Sequence, residues 1–286
     1  MNQPLTTVLL PGGQAVPALG QGTWRLGERP AARMGEIEAL RWGAAHGMTL
    51  IDTAEMYGDG LSEEMIGEAI RPLDRGQLFL VSKVYPHNAG KGRIFHSCEQ
   101  SLKRLGTDYL DLYLLHWRGG VPLAETVECM QQLVKEGKIL HWGVSNFDTA
   151  GMKELWATPG GDRCAANQVL YHLGSRGVEV DLLPWLQSHG LPMMAYCPLQ
   201  AGRLRRSLLA SPVLSRIAAA HDVTIPQLLL AFVLHRPGVI AIPRAAQLAH
   251  MQQNHAAAGL CLTAGELAEL DRAFPAPAHP MPLDIV

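Results

Sequence analysis

Eight short apolar runs recur along this chain, most of them stopping on or beside a polar residue, and this alternation constrains the fold more than any other feature. They cover residues 18–24, 50–52, 78–84, 109–116, 142–146, 165–171, 192–196 and 239–242. Runs that are apolar throughout, rather than at every second residue, belong to parallel strands covered on both faces. Stretches of helical spacing separate them: 32–46 (Met34, Ile37, Leu40, Ala44), 62–70, 94–105, 123–134, 149–155, 182–189, 213–220, 226–234 and 246–257. A strand–helix unit repeated eight times in 286 residues, without a fixed-period repeat or a long linker, predicts a closed (β/α)8 TIM barrel. One domain spanning residues 1–286 is expected. No G-x-G-x-x-G follows a strand, which speaks against a doubly wound dinucleotide fold.

The remaining segments decorate that frame. Residues 6–10 and 14–16 flank Pro11-Gly12-Gly13 and read as an N-terminal β-hairpin. The first barrel run is rich in glycine, which marks close approach of another group, here a ligand. Ser62 is placed to cap the helix over 62–70, with Glu63 and Glu64 in its first turn. Thr263, with Glu266 three residues on, is a capping box for an extra C-terminal helix over 263–274, followed by a proline-rich tail.

A formal charge of −2 gives no general attraction to nucleic acid or to an anionic membrane. The longest apolar run, 228–234, is far shorter than the roughly 20 residues that span a bilayer. Met1-Asn2-Gln3-Pro4-Leu5 lacks the basic and apolar regions of a signal peptide. The five cysteines (Cys98, Cys129, Cys164, Cys197, Cys261) are scattered and odd in number, which suits free thiols in a reducing compartment. A cytoplasmic location is therefore expected. No CxxC or HExxH spacing occurs, so no metal site is expected. A monomer is expected.

Four polar residues stand at successive strand ends. Asp52 ends the second barrel run and Tyr57 lies in the loop after it; Lys83 closes the third run and His116 the fourth. Active sites of such barrels are built where strands stop and loops begin. Taken singly, such an aspartate is most often a turn cap, such a lysine a solvated charge, and such a histidine a satisfied core residue. Together, at three adjacent strand ends, they can converge, and a buried carboxylate there needs a cation such as Lys83.

The chain resembles the aldo-keto reductases over essentially its full length. The resemblance is carried by Gly47-Met48-Thr49-Leu50-Ile51-Asp52-Thr53-Ala54 with Tyr57, by Ser82-Lys83, by Asp111-Leu112-Tyr113-Leu114-Leu115-His116-Trp117, by Gly143-Val144-Ser145-Asn146-Phe147, by Asn167-Gln168-Val169 with Tyr171-His172, and by Tyr196-Cys197-Pro198-Leu199. Within the family it is most similar to bacterial reductases of methylglyoxal and other small aldehydes. The resemblance implies NADPH-dependent reduction of small aldehydes and ketones. In that scheme Tyr57 is the general acid, Lys83 lowers its pKa, Asp52 keeps Lys83 charged, and His116 orients the carbonyl. It implies a nicotinamide stacked on Tyr196, its carboxamide held by Ser145, Asn146 and Gln168. The bland alternative for Ser145-Asn146 is a cap on the short helix that follows.

Further cofactor contacts are implied at Gly22, Thr23, Trp24, Asp52, Cys197, Pro198, Leu199, Gly202 and Arg203, the last four within a short loop over the pyrophosphate. Gln253 belongs with the segment that meets the adenosine. Where the family usually reads the 2′-phosphate with Lys-Ser and then Arg and Asn, this chain has Arg244-Ala245, then His250 and Asn254. Arg244 keeps a cation that can pair with phosphate, so NADPH is expected and NADH remains usable. Cys197 stands where many members have serine. A substrate pocket of Trp24, Met56, Tyr85, His87 and Trp117 is expected, suited to flat, partly apolar carbonyl compounds. Two other readings use the same barrel: a cofactor-sensing regulatory subunit, and a Schiff-base lyase acting through Lys83.

Overall fold

The structure, a computed structural model, describes residues 5–199 and 203–285, the side chains at 203–205 excepted. It opens with the hairpin, β1 (Thr7–Leu9) paired antiparallel with β2 (Ala15–Pro17). Then come β3 (Gln21–Gly22), α1 (Arg33–Ala45), β4 (Leu50–Asp52), α2 (Leu61–Ile70), β5 (Phe79–Val84), α3 (Ile94–Leu105), β6 (Leu110–Leu115) and α4 (Leu123–Lys135). The second half holds β7 (Ile139–Ser145), α5 (Thr149–Ala157), β8 (Asn167–Leu170), α6 (Leu182–Ser188), β9 (Met193–Tyr196), α7 (Arg203–Leu209), α8 (Pro212–Ala220), α9 (Ile225–Leu234), β10 (Val239–Ile242), α10 (Leu248–Ala257) and α11 (Ala264–Ala273).

Strands β3 to β10 form one parallel sheet in sequence order. Gly20 N–H donates to Ala241 O, Ala241 N–H to Ala18 O, and Gly22 N–H to Pro243 O, so the first and last strands meet and the barrel closes. Two apolar regions follow from this geometry. A large one lies between strands and helices, around residues such as Ile51, Tyr113 and Phe232; a smaller one fills the barrel interior with Leu50, Val81, Leu112, Leu114, Met194 and Ile240. The alternating sides of each strand supply both layers.

The glycines of the first run make room for the barrel's own neighbouring strands. A Cβ on Gly20 would lie 2.6 Å from Leu50 Cδ2, and one on Gly22 2.6 Å from Ile242 O. Ser62 is not the cap of α2: Gly60, at φ +94°, holds that position, and Ser62 is buried one residue inside the helix. Thr263 and Glu266 do form the capping box of α11. Helix α7 starts inside the segment read from sequence as a loop. Among the described residues, no single helix is long and apolar enough to cross a membrane.

Candidate active site

Asp52, Tyr57, Lys83 and His116 converge at the C-terminal mouth of the barrel. Lys83 is fully buried, and its three ammonium donors meet three acceptors: Asp52 Oδ2 at 2.8 Å, the Thr53 carbonyl at 2.7 Å and the Tyr57 hydroxyl at 3.1 Å. The buried carboxylate thus has its cation. Its second oxygen, Oδ1, accepts from Gln168 Nε2 at 2.7 Å, across the barrel from β8. The His116 ring lies edge-on to Tyr57, centroids 5.9 Å apart.

Burial dominates the electrostatics. It raises the Asp52 carboxyl and lowers the Lys83 ammonium, while their mutual attraction opposes both shifts. The Tyr57 phenol stands well above its ordinary value, through burial first and then the nearby Asp52 charge. The net shift is upward, against the expectation of a lowered value, because desolvation of the phenolate is the largest influence on it. Burial, helped by repulsion from Lys83, pushes His116 down to about 3. His116 is therefore neutral at physiological pH, a hydrogen-bonding group rather than a charged one.

The loops at the mouth are tied by hydroxyls. Thr23 Oγ1 donates to Asp52 O at 2.8 Å; Ser62 Oγ donates to Thr23 Oγ1 at 2.9 Å; Thr53 Oγ1 donates to Ser62 Oγ at 3.2 Å. Ser145 and Asn146 do not cap α5, a role taken by Asp148. Instead Ser145 Oγ donates to Gln168 O, and Asn146, at φ +59°, donates to His116 O and accepts from the Tyr196 hydroxyl at 2.9 Å. Cys197 is half-buried at φ +51°, its thiol raised by burial.

A cavity of about 610 Å³ opens over these groups. Its wall includes Gly22, Trp24, Met56, Tyr57, His116, Trp117, Tyr196, Cys197, Ile242 and Arg244. Tyr85 and His87 are not in that wall. They stack on each other, centroids 4.9 Å apart, and Tyr85 meets Trp117 edge-on. Ile285 of the C-terminal tail and Arg118 also line the cavity; sequence reasoning named neither as a pocket residue. The Gln168–Asp52 contact was also missed, since two residues 116 apart in sequence carry no local signal of it.

Of the remaining cofactor candidates, Pro198 is buried and Leu199 half-buried after β9. Gly202 and the Arg203 side chain lie outside the described residues. Arg244 follows β10, exposed at the cavity edge, and the neighbouring Ala245 is buried. On α10, His250 and Gln253 are exposed, while Asn254 is buried and its Nδ2 has no hydrogen-bond partner among the described residues. A cavity with the Arg244 guanidinium in its wall, and a buried amide donor left open on the helix that follows β10, fit an anionic nucleotide.

The sequence profile described as "Aldo/keto reductase family" matches residues 18–274. The chain belongs to the aldo/keto reductase family. As such it is an oxidoreductase. This aldo/keto reductase is 56% identical to "Methylglyoxal reductase YeaE" of Escherichia coli strain K12, over 96% of this chain and 97% of that protein. It is similar to a crystal structure of an aldo/keto reductase from Klebsiella pneumoniae in complex with NADP and acetate, with a TM-score of 0.96, 57% identity, and 99% and 100% of the two chains covered. A thermostable aldo-keto reductase, Tm1743, crystallised with the inhibitor epalrestat, matches with a TM-score of 0.86 and 39% identity over 94% of this chain and 99% of that one.

Proposed function

We propose that this chain reduces small aldehydes and ketones, 2-oxoaldehydes of the methylglyoxal type among them, to alcohols with NADPH, and that Tyr57 is the proton donor. The observation that carries the reading is the Lys83 ammonium held between Asp52 and the Tyr57 hydroxyl. Because the Tyr57 oxygen accepts from Lys83, its own proton is free to face the cavity, which Tyr57 lines.

When bound, the nicotinamide supplies a hydride to the carbonyl carbon. The chain's own groups handle the oxygen. Neutral His116 donates a hydrogen bond that orients the carbonyl. Tyr57 gives its proton to the oxygen as negative charge develops there. An alkoxide is a far stronger base than a phenolate, so transfer is favourable even from a phenol whose pKa is raised. Lys83, already in contact, then stabilises the phenolate left behind, and Asp52, fixed by Gln168, keeps the ammonium aimed. Trp24, Met56 and Trp117 offer an apolar wall that suits small, flat carbonyl compounds. The relative's name, methylglyoxal reductase, and its identity of 56% support that substrate class. Tyr196 and the amides of Asn146 and Gln168 would hold the nicotinamide, Arg244 the 2′-phosphate and Asn254 the adenosine end.

The Schiff-base alternative is disfavoured by the same contacts: Lys83 is fully buried, with every donor engaged, so it is a poor nucleophile. A regulatory sensor would differ in turnover. The test is loss of NADPH absorbance with a panel of small aldehydes and ketones, in the parent and in Tyr57→Phe. Activity in the parent and its loss in the variant, with NADPH still bound, support the reading; unimpaired turnover in Tyr57→Phe sinks the assignment of the donor. Arg244→Ala is expected to weaken NADPH about tenfold while leaving NADH nearly unchanged. That is the low end for a charge-assisted contact, because the guanidinium is exposed. Fluorescence titration of both nucleotides checks it.

A further inference from the structure

Behind the catalytic group, outside the barrel wall, lies a second buried carboxylate with no part in the scheme above. Ser82 precedes Lys83 on β5, so the two side chains face opposite ways: Lys83 inward to the mouth, Ser82 outward to the helices. Ser82 Oγ donates to Glu63 Oε1 at 2.6 Å. Glu63 sits in the first turn of α2 with no exposed surface. Its other oxygen, Oε2, accepts from Arg104 Nε at 2.6 Å, from the last turn of α3. The Arg104 stem runs so closely under Gly60 that a Cβ there would lie 2.6 Å from Arg104 Cδ. Gly60 closes the tight turn that begins at Tyr57.

We infer that Glu63 is a positioning residue: by joining Ser82 on one side and Arg104 on the other, it fixes the turn that carries Tyr57 against the strand that carries Lys83, and so sets the Tyr57–Lys83 contact. This rests on Tyr57 being the proton donor. A fully buried carboxylate is expensive to desolvate, and an apolar residue of similar volume would hold α2 against β5 as well. What an apolar residue would not supply is a directional link from each oxygen to a different element, nor a negative charge behind the ammonium. Lys83 faces Asp52, Tyr57, Glu63 and His116, and the Glu63 charge acts with that of Asp52 to keep it protonated against burial. Glu63 itself is faced by Arg104, Cys98 and Tyr113, of which Arg104 is its cation.

Glu63→Gln keeps the shape but removes the charge and sets an amide nitrogen or a neutral oxygen against Arg104. A displacement of the order of 1 Å between donor and ammonium costs up to about a hundredfold in rate. We expect kcat to fall about ten- to hundredfold, with the KM for methylglyoxal and the dissociation constant for NADPH within about twofold. The alkaline limb of the rate profile should move to lower pH, because Lys83 gives up its proton more readily without the Glu63 charge. Ser82→Ala, which cuts the tether and keeps the charge, should lower kcat without that shift, and it serves alone if Glu63→Gln does not fold. Parent kcat and an unmoved alkaline limb in Glu63→Gln, or parent kcat in Ser82→Ala, would overturn the inference, whatever happens to the melting temperature. Tyr57→Phe, run beside them, separates the two failures: if it is inactive while Glu63→Gln and Ser82→Ala match the parent, only the positioning role is lost.

Discussion

Saturation of the Lys83 ammonium by three acceptors separates two substitutions that would otherwise look alike. Tyr57→Phe leaves Lys83 with Asp52 and the Thr53 carbonyl, so the fold should persist while carbonyl reduction falls by about two to four orders of magnitude. Lys83→Met leaves the Asp52 charge buried without its cation, and should lose about 3–5 kcal/mol of stability as well as activity. Single-turnover rates and urea titrations of both variants test this; a Lys83→Met protein as stable as the parent would show that the pair is not needed for folding. Cys197 is a second residue whose setting decides its chemistry. The thiolate is the oxidisable species, and burial raises this thiol. Cys197→Ser should therefore lose activity in hydrogen peroxide at the same rate as the parent; a resistant, active variant would make Cys197 an oxidation site. The four polar residues of the site were legible in the sequence because each stands at or just after the end of an apolar run. The direction of the Tyr57 shift was not, because it depends on how much solvent the fold removes, which no local pattern records.

Among the elements, the strands and most helices follow the hydrophobic period within a few residues, as at β4, α3 and β10. The exceptions share a cause, which is tertiary demand. Ser62 has the residue type of a helix cap, yet its hydroxyl is drawn inward to Thr23 and Thr53 by the closing of the mouth. Gly20 and Gly22 look like a place for a ligand alone, yet both are also crowded by the barrel's own wall, and Gly22 lines the cavity as well. That yields a contrast between two glycines. Gly22→Ala puts a methyl group 2.6 Å from a backbone oxygen of β10, which cannot rotate away, and should cost about 1–3 kcal/mol as an overpacked site. Gly35→Ala, at an exposed position of α1 where the new Cβ meets nothing within 4 Å, should stabilise by about 0.5–1 kcal/mol. Opposite shifts in the denaturant midpoint are expected; equal shifts would mean that the seam between first and last strands gives way easily.

For the molecule as a whole, the consequence of closing a barrel over titratable groups is sensitivity to mild acid. His172 follows two residues after β8, 4% exposed, within range of the Asp284 charge of the C-terminal tail, and burial takes it down to about 4 even though Asp284 pulls the other way. His116 goes down to about 3. In the unfolded chain a histidine titrates near 6.5. Between the two values the unfolded state holds a proton that the folded state does not, so folding stability rises with pH across this window and is lost as pH falls from about 6.5 towards 4. Asp52 and Asp111, both raised by burial, contribute with the opposite sign from 3.8 upward. The net loss should therefore be clearest just below neutrality, up to about 2 kcal/mol per histidine between pH 6.5 and 5. His172 is the one to remove, since it is outside the proposed chemistry. His172→Asn should show a smaller drop in unfolding free energy from pH 7 to pH 5 than the parent, with little change in the activity of the folded protein at pH 7. An equal drop in both proteins would mean that His172 takes up its proton in the folded state, with Asp284 and the tail moving to accommodate it.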